Sequence, residues 1–88
     1  MINIGVIGCG YWGPNLIRNL TKVKDCRVVA IADQRPDRLE AVRYLNSDMK
    51  ATTVASELME SDSIDAIVIA TPISTHFELA RACLDRGK

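Results

Sequence analysis

Three glycines in the stretch GCGYWGPN, residues 8–15, constrain the fold of this chain more than any other feature. The stretch follows the apolar, β-branched run Ile2–Ile7 and precedes apolar residues at helical spacing, Leu16, Ile17 and Leu20. The first run predicts a buried strand, and the second predicts an amphipathic helix that starts near residue 12. A glycine-rich turn between a strand and a helix is typical of sheets whose parallel strands alternate with helices.

The rest of the chain repeats this alternation. Further strands are predicted at Arg27–Ala32, Ala51–Val54 and Asp65–Ala70, and further helices at 36–46, 56–60 and 75–86. Val28–Ala32 and Ala66–Ala70 are apolar on both faces, as in strands that helices cover on both sides. The sequence therefore predicts an α/β fold, an incomplete doubly wound parallel sheet with strand order 3-2-1-4.

Local signals mark the ends of two of these helices. Leu45 completes the apolar face of the second helix, and Asn46 is predicted to end it. Thr75 followed by Glu78 has the spacing of a capping box, which predicts the start of the last helix. Gly87 follows that helix, where glycine favours the left-handed turn of a helix end.

Composition excludes several classes of protein. The 88 residues are 48% hydrophobic and 25% charged, and their formal net charge is zero. A chain of this length and composition is expected to form one small core. No basic cluster is present in the sequence, so a nucleic-acid partner is not expected. The longest apolar run is too short to span a membrane, and the N-terminus lacks a basic signal-peptide region. The cysteines, Cys9, Cys26 and Cys83, lack CxxC spacing, which favours reduced thiols in the cytoplasm and no metal site.

The spacing of the three glycines fits a loop that approaches a pyrophosphate. Gly8 permits the tight turn off the strand, Gly10 lets the backbone approach the phosphates, and Gly13 lets the helix pack closely on the sheet. The positive end of the helix dipole would face the phosphates. The alternative for the glycines is a plain tight turn.

Proline at position 14 narrows the choice of backbone donors in this loop. Pro14 has no N–H group, so Tyr11, Trp12 and Gly13 are the residues expected to present theirs to a dinucleotide. The side chain of Trp12 is large enough either to cover the cofactor or to pack in the core, and both alternatives stay open.

An acidic residue at the end of the second strand completes the pattern. Asp33 lies 20 residues after Gly13, where an acid that binds the adenosine ribose is expected. The alternative is that Asp33 caps the helix that starts near Pro36, and one carboxylate is able to do both. A carboxylate here would repel a 2′-phosphate, so NAD is favoured over NADP. Arg35 would either reach a 2′-phosphate or be solvated.

Three stretches, GVIGCGYWGPNLIRNL, VVAIADQRPDRLEAV and DAIVIATPISTHFELARACLDRGK, resemble the N-terminal Rossmann part of the Gfo/Idh/MocA oxidoreductases. The resemblance covers essentially the whole chain, and the GYWGPN form is most similar to members acting on sugar nucleotides. It implies hydride transfer between a nicotinamide cofactor and a hydroxyl of a sugar, sugar nucleotide or cyclitol. It further implies that Thr71, Pro72 and His76 contact the cofactor. The alternative for His76 is an exposed residue in the first turn of its helix.

The resemblance also implies that important parts lie beyond Lys88. In this family a strand ending in Glu-Lys-Pro follows, its lysine is a catalytic candidate, and a substrate domain comes after it. We therefore expect residues 1–88 to be the N-terminal part of a dinucleotide-binding domain, without catalytic residues and inactive alone. Its last strand would be an apolar edge, which predicts self-association. The alternatives are a complete dinucleotide-binding sensor module, or the nucleotide domain of an amino-acid-pathway dehydrogenase.

Overall fold

The computed structural model describes residues 1–9, 13–43, 49–71 and 73–88. Its elements alternate as β1 (Ile2–Ile7), α1 (Gly13–Thr21), β2 (Cys26–Ala32), α2 (Pro36–Arg43), β3 (Lys50–Thr52), α3 (Ala55–Glu60), β4 (Ala66–Ile69) and α4 (His76–Asp85), with a 3₁₀ turn at Ile73–Thr75. All strand pairs are parallel, and the strand order is β3-β2-β1-β4. The predicted α/β fold and its 3-2-1-4 order are confirmed.

Each face of the sheet carries its own apolar core, which makes the fold doubly wound. On one face, Ile17 of α1 and Val42 of α2 pack with strand residues that include Val6 and Val28. On the other face, Leu58 of α3 and Cys83 of α4 pack with strand residues that include Ile7 and Ala30. Successive side chains of each strand point alternately into the two cores, as the uninterrupted apolar runs predict.

Strands β1 and β2 lie in the middle of the sheet, and each has four buried residues. In β2 the exposed surface is smallest at three apolar positions. Val28, Ile31 and Ala32 have almost no exposed surface. The residues of β4 touch both cores but stay half-buried, since β4 pairs only with β1 within the described sheet. The prediction that β4 forms an edge is confirmed for the part of the chain that the structure covers.

Several predicted element ends differ from the structure by one or two residues. Strand β3 ends at Thr52 rather than Val54, because the Thr52 hydroxyl accepts a hydrogen bond from the Val54 N–H and turns the chain toward α3. The predicted capping box is wrong. Thr75 precedes α4 but has helical backbone angles and no capping hydrogen bond, since the 3₁₀ turn continues directly into the helix. A capping side chain needs an extended backbone at that position.

The predicted end of α4 at Gly87 is confirmed. Gly87 has a φ of +79° and donates its N–H to the Leu84 carbonyl, while the Lys88 N–H donates to the Cys83 carbonyl. This pair of bonds is a Schellman motif. Leu45 and Asn46, predicted to end α2, lie outside the described residues. Within those residues, no helix is long and apolar enough to cross a membrane.

Candidate functional site

The turn after β1 requires glycine at position 8. Gly8 has a φ of +98°, which residues with a Cβ rarely adopt. A Cβ built there would also lie 2.8 Å from the Ala70 carbonyl carbon and 2.9 Å from Cγ2 of Thr71. The Gly8 N–H donates to the Ala32 carbonyl at 2.7 Å, which fixes the turn against the end of β2. The ends of β1, β2 and β4 therefore meet at this glycine.

Asp33 joins the end of β2 to the same turn. Its Oδ2 accepts a hydrogen bond of 2.7 Å from the Cys9 N–H, and its Oδ1 accepts one of 2.8 Å from the Arg35 N–H. An ionised carboxylate has about four acceptor positions, so about two remain for a ligand. The two backbone bonds hold the carboxylate in one orientation and leave each oxygen able to accept one hydroxyl.

The geometry at Asp33 argues against the alternative in which its side chain caps α2. The Arg38 N–H donates to the Arg35 carbonyl, and α2 begins at Pro36, so Asp33 lies too far before the helix to cap it. Its bond to the Arg35 N–H closes an Asx turn that leads the chain into α2. Asp33 thus shapes the approach to the helix without satisfying the N–H groups of its first turn.

Cys9 lies between the turn and Asp33 as a buried, un-ionised thiol. Its side chain is buried in the core that contains Ile17. Burial raises the pKa of the Cys9 thiol to about 11; Asp33 adds to the rise and Arg38 opposes it. The three cysteines are free thiols. A thiol that stays protonated is a weak nucleophile, so Cys9 serves as a small apolar residue.

A cleft of about 520 Å³ opens beyond the carboxyl ends of β1, β2 and β4. Gly8, Asp33 and Thr71 line it, and each lies within two residues of the end of one of these strands. In doubly wound sheets, ligands bind in this crevice, where neighbouring connections leave toward opposite faces. A larger cavity of about 690 Å³ lies near β3 and α3, but none of the predicted site residues lines it.

The segment after β4 is closed by its own hydrogen bonds. His76 Nε2 lies 2.6 Å from the Thr71 carbonyl oxygen, and the Thr75 hydroxyl donates to the Thr71 hydroxyl at 2.7 Å. Because a carbonyl oxygen only accepts, Nε2 carries the proton in this bond. Thr71 lines the cleft, whereas the His76 ring is engaged with the backbone of its own segment.

The structure brings together only part of the predicted site. Gly10, Tyr11, Trp12 and Pro72 lie outside the described residues, and Gly13 is the first residue of α1. Sequence reasoning did not single out Arg38, which lines the cleft beside Asp33. Its position three residues after Arg35, one helical turn along α2, is the signal in the sequence that would have found it.

The chain matches the family model described as an oxidoreductase family with an NAD-binding Rossmann fold over residues 2–88. Over 87 residues it is 37% identical to myo-inositol 2-dehydrogenase of Thermotoga maritima, covering 99% of this chain and 26% of that protein. The chain therefore spans about a quarter of the length of this curated relative.

Solved structures with the same fold have been determined with both types of cofactor. An oxidoreductase from Agrobacterium radiobacter in complex with NAD+ superposes with a TM-score of 0.89 at 26% identity, over 97% of this chain and 25% of that one. A 3-ketoreductase from Actinomadura kijaniata in complex with NADP has a TM-score of 0.87 at 28% identity, over 99% of this chain and 28% of that one. With a family model that matches nearly every residue, this chain belongs to the Gfo/Idh/MocA oxidoreductase family and carries its NAD-binding Rossmann fold.

Proposed function

We propose that this chain is the dinucleotide-binding part of a longer dehydrogenase. The whole enzyme would transfer a hydride between a nicotinamide cofactor and a hydroxyl of a sugar, sugar nucleotide or cyclitol. The observation that carries this proposal is the position of Asp33, which ends β2, lines the cleft and accepts the Cys9 N–H of the glycine turn. The relatives named as inositol dehydrogenase and 3-ketoreductase support the substrate class.

The residues around the cleft fit a dinucleotide. Gly8 leaves a backbone surface that a Cβ would fill, and the start of α1 supplies N–H groups and a positive dipole end for a pyrophosphate. The free acceptor positions of Asp33 suit the two hydroxyls of the adenosine ribose. The cofactor supplies the hydride chemistry when it is bound, and these residues bind and orient it.

The same carboxylate favours NAD over NADP. A 2′-phosphate in place of the ribose hydroxyl would bring negative charge against Asp33, whose orientation is fixed by two backbone bonds. Arg35 is paired with Asp37 at 3.2 Å, and both side chains are mostly exposed to solvent. These observations favour the alternative in which Arg35 is solvated. The carboxylate of Asp37 already neutralises part of its positive charge, so Arg35 would attract a 2′-phosphate less strongly.

At the other end of the cleft, Thr71, Pro72 and His76 are proposed to lie beside the ribose and nicotinamide half of the cofactor. Support comes from Thr71, which lines the cleft two residues after the end of β4. For His76, the bond from Nε2 to the Thr71 carbonyl leaves Nδ1 as the ring atom able to accept from a ligand. Reduced thiols and a nicotinamide cofactor suit the cytoplasm, where we propose that the enzyme works.

Replacing Asp33 tests this proposal. In the full-length protein, Asp33→Ala should weaken NAD binding by about tenfold or more, because charge-assisted hydrogen bonds to the ribose are lost. Titration calorimetry with NAD and NADP measures the effect. Asp37→Ala is the matched control, since it removes an exposed carboxylate that pairs with Arg35 and should change NAD affinity little. Equal affinity of the unmutated protein for NAD and NADP would contradict the assignment of Asp33.

A further inference from the structure

Among the described residues that line the cleft, Arg38 is the arginine without a carboxylate partner. It is half-buried on α2 and lines the cleft with Asp33 and Arg35. Two other arginines near it have carboxylate partners: Arg35 pairs with Asp37, and Arg43 pairs with Glu40. Within the described part of the chain, the Arg38 guanidinium has no hydrogen bond or ion pair.

The charges of Arg38 and Asp33 both act on the Cys9 thiol in the glycine turn. Both side chains influence the Cys9 thiol, Asp33 raising its pKa and Arg38 lowering it. The two opposite charges therefore flank the glycine turn without forming a direct pair. A guanidinium in this setting keeps its donors available, and its planar fork suits phosphate oxygens.

Resting on the proposed function, we propose that Arg38 sets how strongly the site discriminates between NAD and NADP. Its guanidinium is a binding partner for the 2′-phosphate of NADP and opposes the repulsion from Asp33. Cofactor preference is then the difference between an acidic residue that accepts the ribose hydroxyls and a basic residue that attracts the phosphate. NAD is preferred, and Arg38 makes the preference smaller than Asp33 alone would make it.

Two small probes separate the 2′-phosphate from the rest of the cofactor. The ligand 2′,5′-ADP carries the additional phosphate, whereas 5′-ADP lacks it and still occupies the adenosine end of the cleft. In the full-length protein, Arg38→Gln should weaken 2′,5′-ADP binding by about tenfold, the loss expected for a charge-assisted hydrogen bond. Binding of 5′-ADP should stay within about twofold. Calorimetry gives both affinities without any measurement of activity.

A second substitution tests the opposition between the two charges. Asp33→Asn keeps one of the two oxygens that accept backbone N–H groups and removes the charge. It should raise 2′,5′-ADP affinity by about tenfold. Adding Arg38→Gln should remove that gain. Arg43→Gln is the matched control, because it removes a positive charge from the same helix outside the cleft and should change neither probe. Circular dichroism confirms that each variant is folded.

The outcomes distinguish this inference from the proposed function. If Arg38→Gln changes both probes equally, or neither, while the unmutated protein binds NAD, Arg38 does not recognise the 2′-phosphate and the inference is wrong. If the unmutated protein binds neither NAD nor 5′-ADP, the proposed function fails and the inference fails with it. Selective loss of 2′,5′-ADP affinity supports both.

Discussion

Gly8 and Gly87 both have positive φ angles, +98° and +79°, but their surroundings differ. A Cβ on Gly87 would meet nothing within 4 Å, whereas a Cβ on Gly8 would meet the Ala70 backbone at 2.8 Å. The requirement at Gly87 is therefore conformational, and the requirement at Gly8 is both conformational and steric. The spacing of the glycines in the sequence indicates the conformational requirement. The steric requirement at Gly8 depends on the residues after β4, which are distant in the sequence.

The two glycines predict different responses to alanine. Gly87→Ala should lower the free energy of unfolding by about 1–2 kcal/mol, the cost of a left-handed residue with a Cβ. Gly8→Ala should cost more, because the Ala70 backbone must also move, and it should weaken NAD binding. Urea unfolding of both variants measures the difference. Equal destabilisation would mean that the contact with Ala70 relaxes without cost.

Cys9 gives a prediction for the pH dependence of stability. Its thiol has a pKa of about 11 in the folded protein, against an ordinary value of 9.0. The folded state disfavours the thiolate, so the contribution of this thiol to stability is complete below about pH 9 and is lost as the pH rises toward 11. The free energy of unfolding of the unmutated protein, taken relative to Cys9→Ala, should fall over that interval. A difference independent of pH would contradict the assignment.

At the scale of elements, the periodicity of the sequence predicts the strands and helices. Local conformations and contacts that depend on residues distant in the sequence are not predicted. The apolar runs predict β1 and the strand order, because buried parallel strands and short connections allow few arrangements. The capping box fails because the conformation of Thr75 depends on the 3₁₀ turn before it. In the site, the spacing of Asp33 predicts its place at the strand ends. Its bond to the Cys9 N–H and the approach of Arg38 arise only when β1, β2 and α2 pack together.

The segment between β4 and α4 offers a test of what His76 does. If its main role is the bond to the Thr71 carbonyl, His76→Ala should lower the free energy of unfolding by about 0.5–1.5 kcal/mol, the usual net value of such a bond. NAD affinity should then fall only modestly, through loosening of Thr71. Urea unfolding and calorimetry on the same variant decide the point. A large loss of NAD affinity with unchanged stability would mean that the contact of the ring with the cofactor outweighs its bond to the Thr71 carbonyl.

At the scale of the whole molecule, the two edges of the sheet differ. The β3 edge is three residues long and carries Lys50, features that discourage pairing with another chain. The β4 edge is apolar and uncharged, and it pairs only with β1 among the described strands. Helix α4 packs against β4 and exposes 74% of Phe77 and 70% of Leu84. An open strand edge is thus packed against a helix that exposes two large apolar side chains.

These features predict that the 88-residue chain, expressed alone, self-associates through its β4 side and binds NAD weakly at best. Pairing of β4 with β4 of a second copy, or exchange of α4 between copies, would cover the edge. Light scattering over a concentration series should show a mass that rises with concentration. Leu84→Lys should reduce the association, because it places a charge in the apolar surface. Val54→Lys is the matched control, since Val54 is also exposed but follows β3 at the opposite edge. A monomer that persists at high concentration would contradict the prediction. In a monomer the β4 edge stays unpaired, and the side chains of Phe77 and Leu84 stay exposed to water.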